Sequence, residues 1–327
     1  MSLKAIAAVL GLSVTTVSRA LNGYQDVAHE TRKRIEEEAQ RRGYRPNAAA
    51  RRLKTGRANA VGLVYPINSS SLSGSDFSDM LLALDHHLAR YEINLLLLTD
   101  KQQQSQSTLT RLLRSGAVDA LIVGHTTPED SRLHALLQTN FRFLALGRSD
   151  LSSTYAWFDV DHLAGSQLAV SWSLAQGRQR IAWLGSNENS TRVRDRRQGY
   201  VTALGDVAPY AMAAVTPSRR AGYHQIREWL AEAPAPEVII TDCAVLAEGA
   251  ALALQQAGRA AGEGAILLAA WEGLPRDAIL DHPIVAIRQA TPHQAGEQVV
   301  EMVMQLINGA PPETLQTLWQ PWLQLPA

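Results

Sequence analysis

Between residues 60 and 288 the chain repeats one unit: a short apolar run, then a longer stretch with helical periodicity. Ala60 to Tyr65, Leu95 to Leu98, Ala120 to Val123, Phe143 to Leu146, Ile181 to Leu184, Val238 to Thr241, Ile266 to Ala269 and Ile284 to Ile287 are the runs. Each is too short for a buried helix and reads as a buried strand. Met80 to Arg90 and His162 to Gln176 are examples of the amphipathic stretches between them. Short buried strands alternating with helices form parallel sheets through βαβ connections, so the fold class is α/β. The spacing makes two such sheets, one on each side of about Phe158. A ligand is expected at the carboxyl ends of the strands, in the crevice between the sheets.

Ahead of this body lies a stretch of opposite character. Met1 to Arg57 holds 12 Lys and Arg against 5 Asp and Glu, whereas the whole chain has 31 of each. A neutral total therefore hides a basic head on an acidic body. A basic head attracts a polyanion, and nucleic acid is the first candidate because neutralised phosphates release counterions. Leu3, Ile6, Ala7 and Leu10 recur at helical spacing, Gly11 ends that helix, and Ser13 is placed to cap the next. On a helical wheel with Val17 at zero, Leu21 and Val14 fall at about 40° and 60°, Thr15 and Arg19 near about 160° and 200°. Thr15 and Arg19 thus face away from the buried stripe. Helix, Gly-containing turn and capped helix with an outward Arg form the grammar of a helix-turn-helix. Such an Arg can contact guanine through two hydrogen bonds, for about 1–3 kcal/mol of base discrimination. A small helical hairpin with a solvated Arg has the same pattern. A third helix is expected from Glu30 to Arg42, stopped by Gly43. Asn47 can cap a fourth, short helix through Lys54 whose one large apolar group is Leu53. Alone it buries no core, so it either folds on docking to DNA and a twin copy or stays a solvated linker helix.

Other function classes find little support. The one cysteine, Cys243, permits no intrachain disulfide and no structural zinc cluster. There is no phosphate-binding P-loop, no GxSxG elbow, and no Ser or Cys paired with a His at a strand end. No enzyme, cofactor or metal is therefore expected; His86-His87 reads as one exposed helix face rather than a metal pair. No apolar leader is present and no uncharged run approaches the roughly 18 apolar residues of a membrane span, so the expectation is a soluble, cytoplasmic protein without a membrane partner.

The segments LKAIAAVLGLSVTTVSRALNG and TRKRIEEEAQRRGYRPNAAARRL resemble the head of the lactose/galactose repressor (LacI/GalR) family, and the likeness runs through essentially the whole chain. The resemblance implies an all-α helix-turn-helix head at 1–46, a hinge helix and linker at 47–59, and an effector-binding and dimerisation body at 60–327. That body would hold two Rossmann-like subdomains similar to type I periplasmic sugar-binding proteins, joined by three crossovers. The first would take about 60–158 plus 289–315, the second about 159–288 plus 316–327. The family also implies a homodimer on a pseudo-palindromic operator, with Val14, Thr15 and Arg19 reading bases. Leu53 falls at the family's intercalating leucine, a known means of kinking DNA from the minor groove. Ser13, Thr16 and Asn22 would contact phosphate or backbone, and Asn47 belongs to the hinge.

In the body, register against Gly199 puts Arg196 at the family's ligand-binding arginine, within the basic run Arg192 to Arg197. Trp271 and Glu272 fall at its aromatic–acid pair: Glu272 would accept from hydroxyls, and Trp271 either stacks on a sugar or packs. Gln289 falls at another ligand position. Cys243-Ala244 stands where the family usually has Asn-Asp, so Asp242 takes over that contact or the cleft loses a hydrogen bond. Gly147-Arg148 replaces a usual acidic residue, and Gly147 would open room for a di- or trisaccharide. Phe77 and Asp79 in the first subdomain, and Trp157 or Asp159 at the mouth, complete the candidates. The phrases GLVYP, ALGR, AWFD, RRQGY, SRRAGY and IITD resemble the raffinose-operon repressor branch, which implies an α-galactoside or related oligosaccharide.

What the resemblance implies is a transcriptional repressor of a carbohydrate-utilisation operon. A sugar bound between the subdomains would rotate the first, separate the hinges and withdraw Leu53, provided it binds the DNA-free state more tightly. The absence of a leucine heptad after Trp322 favours a dimer over a tetramer. Two alternatives stay open: a purine-type corepressor that tightens DNA binding, and a sugar-binding protein without a regulatory role.

Overall fold

The structure, a computed structural model, describes residues 2–21, 24, 26–44, 56–66, 75–99 and 105–326. Asn22, Asn47 and Leu53, and with them the expected hinge helix, lie outside the described residues. Residues up to Ala58 form one compact unit and Asn59 onwards a second.

The head is a three-helix unit: α1 (Leu3–Leu10), α2 (Val14–Leu21) and α3 (His29–Arg41). Gly11 ends α1 with φ at 64°, a left-handed conformation that costs a glycine little, and its N–H donates to Ala7 O. The chain then turns by 110° into α2. Ser13 Oγ accepts from Thr16 N at 3.0 Å, which satisfies one of the free amides at the start of α2. Ile6, Ala7, Val17, Ala20, Val27, Ile35 and Ala39 make the core, with Leu3, Leu10, Leu21 and Tyr44 packed around it. The helical spacing of those apolar residues is what turns each helix inward.

The body holds two six-stranded sheets. The first has β1 (Ala60–Tyr65), β2 (Asn94–Thr99), β3 (Ala120–Val123), β4 (Phe143–Leu146), β5 (Ala156–Val160) and β11 (Gln316–Trp319), in the order β11-β5-β4-β3-β1-β2. The second has β6 (Ile181–Ser186), β7 (Ala211–Val215), β8 (Val238–Thr241), β9 (Leu267–Trp271), β10 (Ile284–Arg288) and β12 (Trp322–Gln324), in the order β12-β10-β9-β8-β6-β7. Every described pairing is parallel except β10 with β12. The helices α4 (Ser75–Ala89), α5 (Ser105–Ser115), α6 (Ser131–Thr139), α7 (His162–Ala175), α8 (Thr191–Leu204), α9 (Arg219–Ala231), α10 (Ala244–Gln256) and α11 (Pro292–Ile307) supply the connections.

The second lobe shows why its strands are unbroken apolar runs. Ile181, Trp183, Val238 and Ile240 face a core with Val170 and Tyr200, whereas Ala182, Leu184 and Ile239 face another with Trp229, Leu246 and Leu254. Alternate side chains enter opposite cores, so both faces must be apolar. In the first lobe α11 returns late in the chain, and Val299, Val300, Val303 and Leu306 join Val61, Leu63, Leu84 and Leu88 in one core.

Two expected boundaries shift. The border placed between 315 and 316 gives way because β11 pairs with β5, Gln316 opposite Trp157 and Trp319 opposite Val160. The last crossover therefore follows Trp319. The strand expected at Ile266 to Ala269 runs instead from Leu267 to Trp271, which draws Trp271 out of the loop and into the sheet. Among the described residues no single helix is long and apolar enough to cross a membrane.

Candidate functional site: an interlobe cleft and a helix-turn-helix head

Strands of both sheets end at one crevice, and the side chains that line it come from those ends or from the helix starts that follow. Two adjoining pockets, both open to solvent, occupy it, and both are lined by Tyr65, Phe77, His125, Arg192, Arg196 and Glu272. The first extends to Ser186, Glu188, Asp242 and Cys243; the second to Leu146, Gly147, Phe158, Asp159 and Gln289.

Arg196, on α8, is the most tightly held group there, with 2 % of its surface exposed. Its guanidinium lies 4.0 Å over the Trp271 ring. Nε donates to His162 Nδ1 at 3.2 Å, and Nη1 donates to Asp242 O. Nη2 is buried without a hydrogen bond, 3.8 Å from Glu272 Oε1. Burial, together with the neighbouring Arg192, lowers the Arg196 pKa to about 10, so the group is still cationic at neutral pH. Burial and the adjacent Arg196 push the His162 imidazole well down, which suits a neutral ring whose Nδ1 accepts a hydrogen bond.

Trp271 requires a correction. It is fully buried, donates from Nε1 to Ser166 Oγ at 3.1 Å, and does not line the cleft. Gly165 packs against it, where a Cβ would stand 2.4 Å from the ring. Of the two readings for Trp271, packing is the one the structure adopts: it is the floor beneath Arg196, not a stacking face for ligand.

The neighbouring Glu272 takes φ of 68°, left-handed for a non-glycine residue, as does His125 at 54°. Two such residues in one cleft are the kind of backbone strain that functional sites hold. Glu272 Oε1 accepts from Gln289 Nε2 at 2.7 Å, so the acid and the amide arrive as a pair. Asp242 is 2 % exposed; Oδ2 accepts from Ser186 N at 2.6 Å, while Oδ1 is buried with no hydrogen bond. Burial raises its pKa. Gly147 takes φ of 101° beside Thr126, whose Oγ1 would stand 2.5 Å from a Cβ. It is therefore a glycine for backbone reasons as well as for space. Phe77 stacks obliquely on Tyr65 with centroids 4.5 Å apart.

Asp79 and Trp157 lie beside the cleft and do not line it. Asp79 reaches across to Arg276 at 2.9 Å, an ion pair between the two lobes. Trp157 lies under the Arg148 guanidinium at 5.7 Å. Asp159 lines the second cavity and accepts from Arg148 Nε at 2.8 Å. Tyr65, His125, Arg192 and His162 were not singled out by sequence, although Arg192 sat in the basic run. The available signal was position: Tyr65 ends β1 and His125 follows β3.

In the head, Val14 is 40 % exposed and Thr15 is exposed on the same helix. Ser13 Oγ and Thr16 Oγ1 are hydrogen-bonded at 2.8 Å. Arg19 forms an ion pair with Asp26 and lies 5.1 Å over the Tyr24 ring. The second helix thus presents Val14, Thr15 and a braced, half-exposed Arg19 on one side of the three-helix unit.

A helix-turn-helix head on a two-lobed body with a polar interlobe cleft defines a DNA-binding transcriptional regulator with a small-molecule site. The chain belongs to the LacI family of bacterial regulatory proteins. Residues 2–47 match the family described as "Bacterial regulatory proteins, lacI family", and residues 58–320 match "Periplasmic binding proteins and sugar binding domain of LacI family". The chain is 45% identical to the HTH-type transcriptional regulator RafR of Escherichia coli, over 98% of this chain and 96% of the relative. It is 36% identical to the HTH-type transcriptional regulator AglR of Rhizobium meliloti (strain 1021), over 84% of this chain and 78% of the relative. A crystal structure of a putative transcriptional regulator from Yersinia pestis biovar Microtus str. 91001 superposes with a TM-score of 0.78 at 40% identity, covering 83% of this chain and 98% of that one. The lac repressor bound to ONPG shares the fold, with a TM-score of 0.84 at 22% identity over 100% of this chain and 98% of that one.

Proposed function

We propose that this regulator is a repressor of a carbohydrate-utilisation operon, bound as a homodimer to a pseudo-palindromic operator and released by a neutral oligosaccharide in the interlobe cleft. The observation that carries the ligand class is the composition of the cleft walls. Arg192 and Arg196 stand with Glu188, Asp242 and Glu272 on one side, and the Tyr65–Phe77 pair stands among the lining residues of the other lobe. Planar cations and carboxylates bind hydroxyl pairs, and aromatic faces cover C–H patches. With two arginines against three carboxylates, the cleft has no net positive charge to favour a phosphorylated ligand. The two adjoining cavities give room for more than one ring. Val14, Thr15 and Arg19 would read bases, with Ser13 and Thr16 on the phosphates.

A thermal-shift screen of neutral mono- and oligosaccharides, sugar phosphates and purines, repeated with operator DNA, tests this reading. A ligand at 100 times its Kd adds about 2.7 kcal/mol to stability. A neutral di- or trisaccharide should raise Tm and release the DNA. Stabilisation by sugar phosphates or purines alone would overturn the ligand class, and tighter DNA binding in its presence would overturn release.

A further inference from the structure

Outside the cleft, the C-terminal half of α4 and the first turns of α11 bring ligating side chains together from distant parts of the sequence. We propose that His87, His293 and Glu297 form a binding site for a divalent transition-metal ion of the zinc class, with His86 beside it as a further imidazole.

The three residues each offer one ligating atom, and those atoms all lie within 4.8 Å of one another. His87 Nε2 and His293 Nδ1 are 3.3 Å apart. Zinc–nitrogen bonds of about 2.0–2.1 Å in tetrahedral geometry set neighbouring ligand atoms about 3.4 Å apart, so this pair stands at the edge length a tetrahedral ion needs. The two rings are nearly perpendicular, at 85° with centroids 4.6 Å apart, which lets in-plane lone pairs converge rather than stack. His293 and Glu297 are four residues apart on α11 and therefore share a face. Glu297 Oε1 lies 4.0 Å from His87 Nδ1, whereas His293 faces His87 Nε2, so an ion takes one of these two ring nitrogens and the remaining ligand closes on it by rotamer change. His86 has its ring centroid 5.9 Å from that of His293, near enough to swing in by rotamer change.

The donor set decides the ion. Imidazoles with one carboxylate suit zinc, nickel and copper, whereas magnesium and calcium prefer oxygen throughout. The core position of His87, 2 % exposed, fixes one ligand in advance. Arg90 Nη1 lies 3.3 Å from Glu297 Oε1 and competes with an ion for that carboxylate. The site rests on neither the sugar nor the DNA reading. Its consequence is mechanical: an ion would tie positions 206 residues apart and so pin α11 to α4, the helix that brings Phe77 to the cleft.

The test uses the untagged full-length chain. Zinc titrated by calorimetry should bind stoichiometrically, raise Tm, and be replaceable by cobalt with the visible absorption of a tetrahedral Co(II) centre. Loss of a supporting hydrogen bond to a metal ligand already costs about 10–100-fold in affinity, so His293→Ala should weaken zinc at least that much. His293 is exposed, and that variant should fold even if His87→Ala does not. Arg90→Ala should tighten binding by freeing Glu297. Unchanged zinc affinity in both His293→Ala and Glu297→Gln, or no tetrahedral cobalt spectrum, would overturn the site.

Discussion

Arg196 shows how one side chain is made ready for a ligand. Trp271 below, His162 at Nε and the Asp242 carbonyl at Nη1 fix the guanidinium, and Nη2 is the atom left over. Lysine would retain the charge but neither the fork nor the planar face that lies on Trp271. Arg196→Lys should therefore lose about 1.5–3 kcal/mol of ligand binding, the range for one hydrogen bond to a charged group, or about 10- to 100-fold in Kd. Operator affinity without ligand should not change. Calorimetry with the effector and gel shifts without it check the two halves, and a full ligand response in the variant would remove Arg196 from the site. Arg196, Glu272, Gln289 and Asp242 were nameable because the resemblance to the LacI/GalR family implies ligand positions there, and Gly199 and the strand ends gave the register that carried them over. The role of Trp271 was not, because a two-residue shift in a strand boundary decides whether a side chain enters the core or the loop, and apolar runs do not mark that boundary sharply.

Among elements, the strands left unread were β5, β7, β11 and β12. β7 and β12 are edges of the second sheet and β11 an edge of the first, and their residues are partly exposed. An edge strand needs no continuous apolar run, and Gln316 to Trp319 has none to read; Ala211 to Val215 is apolar but built mainly of alanine and only partly buried, a weak strand signal. β5 is interrupted by Asp159, whose carboxylate is drawn into the site by Arg148. The helices of the second lobe are positioned by glycines at their crossings. At Gly199 of α8 a Cβ would stand 2.2 Å from Leu163 O on α7, a backbone atom that cannot yield without moving the helix. Gly199→Ala should cost about 1–3 kcal/mol as overpacking. Urea unfolding should show it as a lower midpoint with an unchanged slope; an equal midpoint would mean that α7 and α8 slide apart freely. Because Arg196 shares α8, ligand affinity should fall in the same variant.

On the scale of the whole molecule, burial sets a direction for acid stability. Burial lowers the pKa of His162 and His282 and brings His125 down to about 4, with Arg192 and Arg132 adding to the effect at His125 and Glu188 and Asp130 opposing it. An unfolded histidine titrates near 6.5, so the unfolded chain takes up protons first. Stability is then complete above about 6.5 and falls as the pH drops below it, by roughly 1.4 kcal/mol per unit for each group held neutral. Asp159 and Asp242, raised by burial, act with the opposite sign but only in the more acid range above the carboxylate value. Urea midpoints should therefore decline between about pH 7 and pH 5.5, and a flat profile there would contradict the burial of these imidazoles. The late return of α11 and β11 to the first lobe bears on synthesis. The strands β1 to β5 leave the ribosome long before Val299, Val303 and Leu306 exist to cover their core, and the edge of β5 is open until Gln316 to Trp319 arrive. A nascent chain must therefore hold an unfinished lobe while the whole second lobe is made, which makes the first lobe the segment most in need of chaperone shelter.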